Sequence, residues 1–379
     1  MDISKFLSSA PGRLLKLSEE DTAFVPDPLP PPGWTLPERL WPKLAEAKQE
    51  IGLLEGIGRS LPNSEILLRP LQNREAIRSS SLEGTYATPE QLLLLELDTE
   101  KADGGAASAV REVANYGAAL QVATASELPL SLRLIKDMHR VLLRDVRGHK
   151  HTPGEFRRGQ VYIGHDKRFI PPPVNELAEC LDAFEKYMNH ANGIDPLIRC
   201  YLIHYQFETI HPFYDGNGRV GRLLLALMLQ RWCGLTKPWL YMSAFFDRFK
   251  DEYVSGLFAV SARDDWNAWV EFCIDGTIVQ ARDTVRRCQR LLHLKDTYQS
   301  RLLETKGSVR LSQLVEDLFA APFTQIPRVK RRFGTSYPTA KSDVETLVKA
   351  GILREVPDMS PRTFLAHEIF AIAFDEPNE

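Results

Sequence analysis

A mainly α-helical protein with one short β-hairpin and a C-terminal winged helix-turn-helix is what the sequence predicts, on three observations. Apolar residues return every three or four positions through most of 37–295, the period of helices packed on one face. That pattern is interrupted by the β-prone pieces Gln160-Val161-Tyr162-Ile163 and Phe169-Ile170. From about Leu311, three short helical pieces are followed by strand-like segments, which is the order of a winged helix.

Residues 22–37 carry Pro26, Pro28, Pro30, Pro31, Pro32 and Pro37, a density that favours an extended polyproline-like strap over helix or strand. Helices are expected from Pro37 to Ser60, from Asn63 to Glu83, and again from Thr88-Pro89, where threonine suits an Ncap and proline the first helical position. A charged break follows at Lys101 to Gly105. Helix resumes from Ala106 to Val146, with Pro129 and Ser131 marking a boundary before Leu132 to Leu143. The β-prone pieces read as a short exposed hairpin, because Pro171, Pro172 and Pro173 prevent continuation. Asn175 to Asn189, Pro196 to Ile210 and Arg219 to Trp232 are helical, and the last two are apolar on nearly every face, as central buried helices are. Helix continues to about Lys295, with Trp266 and Trp269 as core anchors. The C-terminal pieces are Ser312 to Phe319, Ile326 to Phe333 and Thr339 to Ala350, then Ile352 to Glu355 and Thr363 to Phe374. Three regions result: a helical N-terminal region over 1–105, a core over 106–290 and a winged-helix domain over 291–379.

Lys and Arg number 47 against 50 Asp and Glu, a net charge of −3, so no overall field gathers nucleic acid or anionic lipid. The 5 cysteines are an odd count without a C-x-x-C pair, which argues against a disulfide framework or a zinc finger and leaves buried thiols. Met1 to Leu17 lacks the continuous apolar stretch of a secretory signal, and no run approaches the roughly 18 apolar residues of a membrane helix. A cytoplasmic protein without membrane contact is expected.

The chemistry concentrates in His211-Pro212-Phe213-Tyr214-Asp215-Gly216-Asn217-Gly218-Arg219-Val220-Gly221-Arg222, placed where one buried helix ends and the next begins. Gly216 and Gly218 permit left-handed or nest conformations, so that amide N–H groups converge on an anion at the start of the following helix. Arg219 and Arg222, three apart, share a side of that helix, where their charge is unfavourable unless an anion compensates. Asp215 offers a hard oxygen beside the hollow, and magnesium is commonly held by one or two carboxylates plus substrate phosphates. His211, with an unperturbed pKa of about 6.5, supplies a base for removing a hydroxyl proton. Singly, each is more often a cap, a turn or a solvated charge; together within a dozen positions they mark a nucleotide site.

The run H-P-F-x-D-G-N-G-R-x-x-R resembles the signature of Fic-domain proteins at every specified position, His211 through Arg222. The resemblance implies a Fic-type helical core with a β-hairpin flap, and transfer of AMP from ATP to a Ser, Thr or Tyr hydroxyl of a protein, itself included, with pyrophosphate released. His211 would be the base and Asp215 the Mg²⁺ ligand. Gly216, Asn217, Gly218 and Arg219 would cradle the α- and β-phosphates, with Gly221 among the intact glycines, and Arg222 would hold the γ-phosphate. Upstream, Ser79-Ser80-Ser81-Leu82-Glu83-Gly84 resembles the inhibitory pattern of one Fic class. Glu83, at a helix C-terminus where the dipole disfavours a carboxylate, needs a cation; by resemblance this is Arg222, in a bidentate pair, with Ser79 and Gly84 completing the motif. Pro153-Gly154-Glu155-Phe156-Arg157 resembles the segment that leads into the flap, whose Val161, Tyr162, Ile163 and Gly164 would align a target by strand addition. One departure is Ser243 to Phe249, where Phe245 and Phe249 stand in place of the Tyr and Asn that many relatives carry near the nucleotide base.

Two other readings stand beside this one. Glu83 beside His211 would also suit the reverse reaction, hydrolysis of an AMP–protein bond. The second is a DNA-binding regulator whose core senses nucleotide, resting on Arg328, Lys330, Arg331 and Arg332. Residues 290–379 hold 13 basic against 12 acidic side chains, and Asp343 and Glu345 lie on the helix that would enter the groove, so protein docking or homodimer formation is favoured there over DNA.

Overall fold

The structure, a computed structural model, describes residues 1–60, 65–97, 105–146, 152–164, 167–190, 193–304 and 308–375. The chain opens with an antiparallel hairpin, β1 (Gly12–Lys16) and β2 (Thr22–Pro26), with Gly12 opposite Pro26. Residues 22–26 thus depart from the expected polyproline strap. Ala23, Phe24 and Val25 are buried, and Pro26 falls at the strand's last position, where its missing N–H leaves the ladder intact. Phe24 also donates its N–H to Ile170 O at 2.9 Å, so β2 braces the later flap.

The helices follow largely as expected. α1 (Trp41–Ser60) packs along α11 (Trp266–Glu304). α2 (Glu65–Leu82) leads to α3 (Pro89–Leu97), whose start is a reciprocal cap: Gln91 N–H donates to Thr88 Oγ1 at 3.2 Å and Thr88 N–H to Gln91 Oε1 at 2.9 Å. The break expected at Lys101 to Gly105 lies outside the described residues except for Gly105, which opens α4 (Gly105–Ala125). α5 (Leu132–Leu142) is capped by Ser131, and α6 (Val174–Asn189), α7 (Pro196–Ile210), α8 (Asn217–Trp232), α9 (Ser243–Arg248) and α10 (Lys250–Arg263) complete the core. Trp266 and Trp269 are buried, and four of the five free cysteines are buried while Cys233 is half-buried.

Two expectations need correction. The exposed hairpin at 160–170 is reduced to a single antiparallel bridge, Ile163 with Phe169, and its second leg is core: Ile170 is fully buried and Phe169 nearly so, as their apolar side chains demand. Residues 165–166 of the intervening polar stretch lie outside the described residues. Helix α11 does not stop near Lys295 but runs to Glu304, because Cys288, Leu291, Leu294, Tyr298 and Leu302 keep one apolar stripe against the core. It therefore passes through position 290 without a break.

The C-terminal segment runs α12 (Val309–Ala320), β3 (Phe323–Gln325), α13 (Ile326–Phe333), α14 (Tyr337–Lys349), β4 (Arg354–Val356), β5 (Thr363–Leu365) and α15 (His367–Phe374), with sheet order β3-β5-β4, antiparallel throughout. Helices α12 and α15 pack on α2. Asp343 on α14 is buried and takes a bidentate pair from Arg310, at 2.6 and 3.0 Å, while Arg332 pairs with Asp317 at 2.8 Å.

Candidate active site

His211 ends α7 in a left-handed conformation (φ 51°, ψ 62°), with its N–H still bonded to Phe207 O at 3.0 Å. The following loop is closed by Asn217, whose buried side chain accepts from Phe213 N–H at 2.8 Å and donates to Phe213 O at 2.9 Å. Gly216, at φ 78°, turns the chain into α8, a conformation that favours glycine. Behind the loop, the fully buried His139 of α5 stacks on Phe213 with centroids 3.8 Å apart. Its Nδ1 accepts Gly154 N–H at 2.8 Å, so the ring proton sits on Nε2, which donates to Asp215 O at 3.0 Å. Burial pushes this imidazole's pKa down to about 4, and it is neutral.

The ring of His211 is oriented by its own helix. Nδ1 lies 3.2 Å from Glu208 O, and a carbonyl only accepts, so Nδ1 carries the proton and Nε2 is left as the basic nitrogen. Burial pushes the His211 pKa down to about 4, and the nearby Arg157 charge acts in the same direction. At neutral pH the ring is an uncharged base.

Arg222, buried on α8, reaches the last turn of α2. Its Nε donates to Ser79 Oγ, and its Nη2 to both Ser79 O and Glu83 Oε1, all at 2.8 Å. The expected bidentate pair is therefore replaced by one bond to Glu83 and two to Ser79, because the Nε–Nη2 edge faces a helix end that offers a hydroxyl and a carbonyl as well as the carboxylate. Gly84 at φ 77° ends α2 there, with its N–H on Ser81 O at 2.9 Å. Glu83 Oε1 also lies directly over Gly218, where a Cβ would approach it to 2.0 Å. A carboxylate thus fills the glycine hollow. Burial would raise the Glu83 pKa, but Arg222 and then Arg219 overcome it and hold the carboxyl below its ordinary value.

A cavity of about 430 Å³ brings together Glu83, Ile163, Gly164, His211, Gly218 and Arg222. Its apolar wall comes from Tyr253, Val254, Leu257 and Phe258 on α10. Phe245 and Phe249 do not reach it; they pack on each other, centroids 4.8 Å apart, and Phe245 fills the space beside Gly276. Val161 and Tyr162 are also absent from the lining, and the Tyr162 hydroxyl turns away to Asp21 at 3.2 Å. Gly221 serves the close approach of α7, since a Cβ there would meet Glu208 Oε1 at 2.3 Å.

Asp215 and Arg219 form a second layer. Arg219 is buried, with Nη1 at 3.2 Å from Glu112 Oε2 and Nη2 at 3.5 Å from Asp215 Oδ1, and Glu112 takes a further bond from Thr85 Oγ1 at 3.0 Å. Asp215 Oδ1 accepts Gly216 N–H at 2.7 Å, and the side chain remains 35% exposed. Among the described residues no group of three or more His, Cys, Asp or Glu side chains converges on a metal position, so the protein offers a lone carboxylate here. That donor set fits a magnesium ion whose other ligands are phosphates and water.

Several of these residues carry no signal in the sequence. Glu112, His139 and Glu208 sit in ordinary helical contexts and matter through partners elsewhere in the chain, whereas Arg157 closes the run that resembles the lead-in to the flap and only its link to His211 carries no signal. Glu208 lines the cavity beside Arg222; burial pushes its carboxyl up to about 8, with Arg222 partly offsetting, so it is protonated at neutral pH.

A helical core whose buried loop joins a histidine, a glycine hollow and an arginine held by an upstream glutamate defines a Fic-type fold. The chain carries both segments of the Fic/DOC family: residues 41–125 match the model for the Fic/DOC family N-terminal segment, and residues 129–229 match the Fic/DOC family model. It is 31% identical over 205 residues to the protein adenylyltransferase Fic of Drosophila virilis, covering 52% of this chain and 40% of that one, and 35% identical over 161 residues to its Drosophila melanogaster counterpart, covering 40% and 31%. The chain thus spans well under half the length of these curated relatives. Among solved structures it is similar in fold to a Fic family protein from Desulfovibrio desulfuricans G20, with TM-score 0.59 and 19% identity, over 92% of this chain and 99% of the other. A Fic-1 fragment from C. elegans aligns with TM-score 0.54 and 22% identity, over 65% and 73%. No helix among the described residues is long and apolar enough to cross a membrane.

Proposed function

We propose that this chain is a magnesium-dependent protein adenylyltransferase, held inactive by Glu83, that moves AMP from ATP to a Ser, Thr or Tyr hydroxyl of a protein. The observation that carries the reading is the convergence of His211, Gly218 and Arg222 on one cavity whose glycine hollow already holds a carboxylate. A site that seats an anion there is suited to a phosphate. With Glu83 withdrawn, the β- and γ-phosphates take its place over Gly218 and beside Arg222, and the α-phosphorus faces His211. Nε2 removes the proton of the target hydroxyl, the hydroxyl oxygen bonds to the α-phosphorus, and the bond to the bridging oxygen breaks to release pyrophosphate. Arg219, fixed by Glu112, holds Asp215 in place. A magnesium ion bound by Asp215 would supply charge neutralisation of the phosphates.

The reverse reaction has one observation in its favour. Glu83 and His211 line the same cavity, so the carboxylate would orient a water toward an AMP–protein phosphorus. In the C-terminal segment we read α13 and α14 as the helix-turn-helix of a winged helix that docks a protein or a second copy. Arg332, one of the four cations that would face DNA, is engaged by Asp317, which weakens the DNA reading. The three-part division at 105 and 290 is kept as a functional one, with α11 as the shared spine. Five free thiols suit a reducing cytoplasm.

The test is incubation of the protein and its Glu83→Gly variant with Mg²⁺ and ATP labelled at the α- or the γ-phosphate. Label from α alone, stronger in the variant and absent after His211→Ala, is expected. Label from γ would mean a kinase, and loss of AMP from a pre-modified protein that requires Glu83 would favour hydrolysis.

A further inference from the structure

We propose that Arg157 is a positioning residue that ties the base-bearing loop and the flap into one unit, an assignment that rests on His211 being the base. Arg157 is 2% exposed, and among the described residues no carboxylate pairs with it. Its guanidinium is instead surrounded by backbone carbonyls. Nε donates to His211 O at 2.9 Å, Nη1 to Gly159 O at 3.2 Å, and Nη2 to Pro172 O, while its own N–H donates to Pro212 O at 2.9 Å. Gly159 and Pro172 are the two feet of the flap, whose bridge is Ile163 with Phe169. His211 and Pro212 are the start of the catalytic loop.

One planar fork therefore fixes three chain segments at once, and burial lowers its pKa only to about 10, so the charge persists at neutral pH. The C-terminal carbonyls of α7 carry partial negative charge, and this offsets the burial of a cation without a counter-ion. A lysine keeps the charge but lacks the fork, and cannot satisfy His211, Gly159 and Pro172 together. Gln160 offers the contrast: its Nε2 donates to Pro171 O at 3.0 Å and so closes the flap without touching the His211 loop.

Amide hydrogen exchange on the intact protein tests this without any variant. The amides of Arg157, Ile163, Phe169 and His211 are expected to exchange at one common rate under mild denaturant, as a single opening unit. Independent opening of Ile163 and Phe169 relative to His211 overturns the proposal. In a Glu83→Gly background, Arg157→Lys is expected to slow α-label incorporation into the chain by roughly tenfold or more, the loss expected when buried hydrogen bonds from a cation are broken. Binding of a non-hydrolysable ATP analogue with Mg²⁺ should stay unchanged, and Gln160→Ala, which leaves the Arg157 fork in place, should not separate the flap amides from His211. An unchanged labelling rate in Arg157→Lys, or a loss of analogue binding in step with the rate, also overturns it. Failure of the base assignment reads out separately, as label that survives His211→Ala; the exchange result stands apart from it.

Discussion

The end of α2 and the flap both line the cavity around His211, and they are built in opposite ways. α2 is held along its length by other elements: Arg74 to Asp283 at 2.8 Å, Glu75 to Ser243 and Tyr116, Arg78 to Asp247 at 3.3 Å, Ser79 to Arg222, and Leu82 O to Lys250 at 2.8 Å. Most of these partners are buried, where breaking a bond leaves an unsatisfied group. Among its described residues the flap has one backbone bridge, ties at its two feet, the brace from Phe24 N–H to Ile170 O, and contacts of Tyr162 and the half-buried Lys167 with Asp21, a pair near the surface that contributes little. The α2 wall, on the proposed nucleotide side, is thus fixed along its length, and the flap, proposed to meet a protein target, is tied at its base and keeps its edge for an incoming strand.

Weakening the fixed wall should produce the largest effect. Asp283 joins Arg74 of α2 to Arg287, which in turn caps α15 through Ile372 O at 2.7 Å. Asp283→Ala removes the buried carboxylate that both cations share, and should lower unfolding free energy by about 3–5 kcal/mol in urea titrations. A loss below about 1 kcal/mol would mean that α2 is not held as described.

Next comes Glu83→Gly, which removes one charge-assisted bond worth about 1.5–3 kcal/mol and should raise AMP incorporation by about tenfold or more. Arg222 keeps both bonds to Ser79, so its orientation should survive; equal rates in the two proteins would separate the contact from inhibition.

On the flap, Ile163→Pro deletes the N–H that reaches Phe169 O at 2.9 Å, and should cost only about 0.5–1.5 kcal/mol, with faster exchange confined to the flap and the His211 loop tied to it. Global destabilisation would erase the contrast between the two walls.

The smallest expected effect is a pH dependence that stays flat. A base whose folded pKa is lowered to about 4 is already deprotonated well below neutrality, so kcat/KM of the Glu83→Gly variant should not vary between about pH 5.5 and 7. An acid limb centred near 6.5 would place His211 in water rather than in a buried site.

What the sequence settled by itself was local: helix period, the Thr88 cap, the boundary at Ser131, the glycine that turns the chain into α8, and the twelve-residue run whose spacing implies an anion hollow. Those signals lie within a few residues of one another, which is the range over which backbone preference acts. β1 and β2 escaped because a strand needs a partner, and nearby prolines masked the buried Phe24 edge. Tertiary structure alone decided which further groups support the site. Arg157 meets His211 across 54 residues, His139 meets Asp215 across 76, and Glu112 meets Arg219 across 107. Burial at those meetings, which no window of sequence measures, is what sets the charge of the base and fills the glycine hollow with a carboxylate.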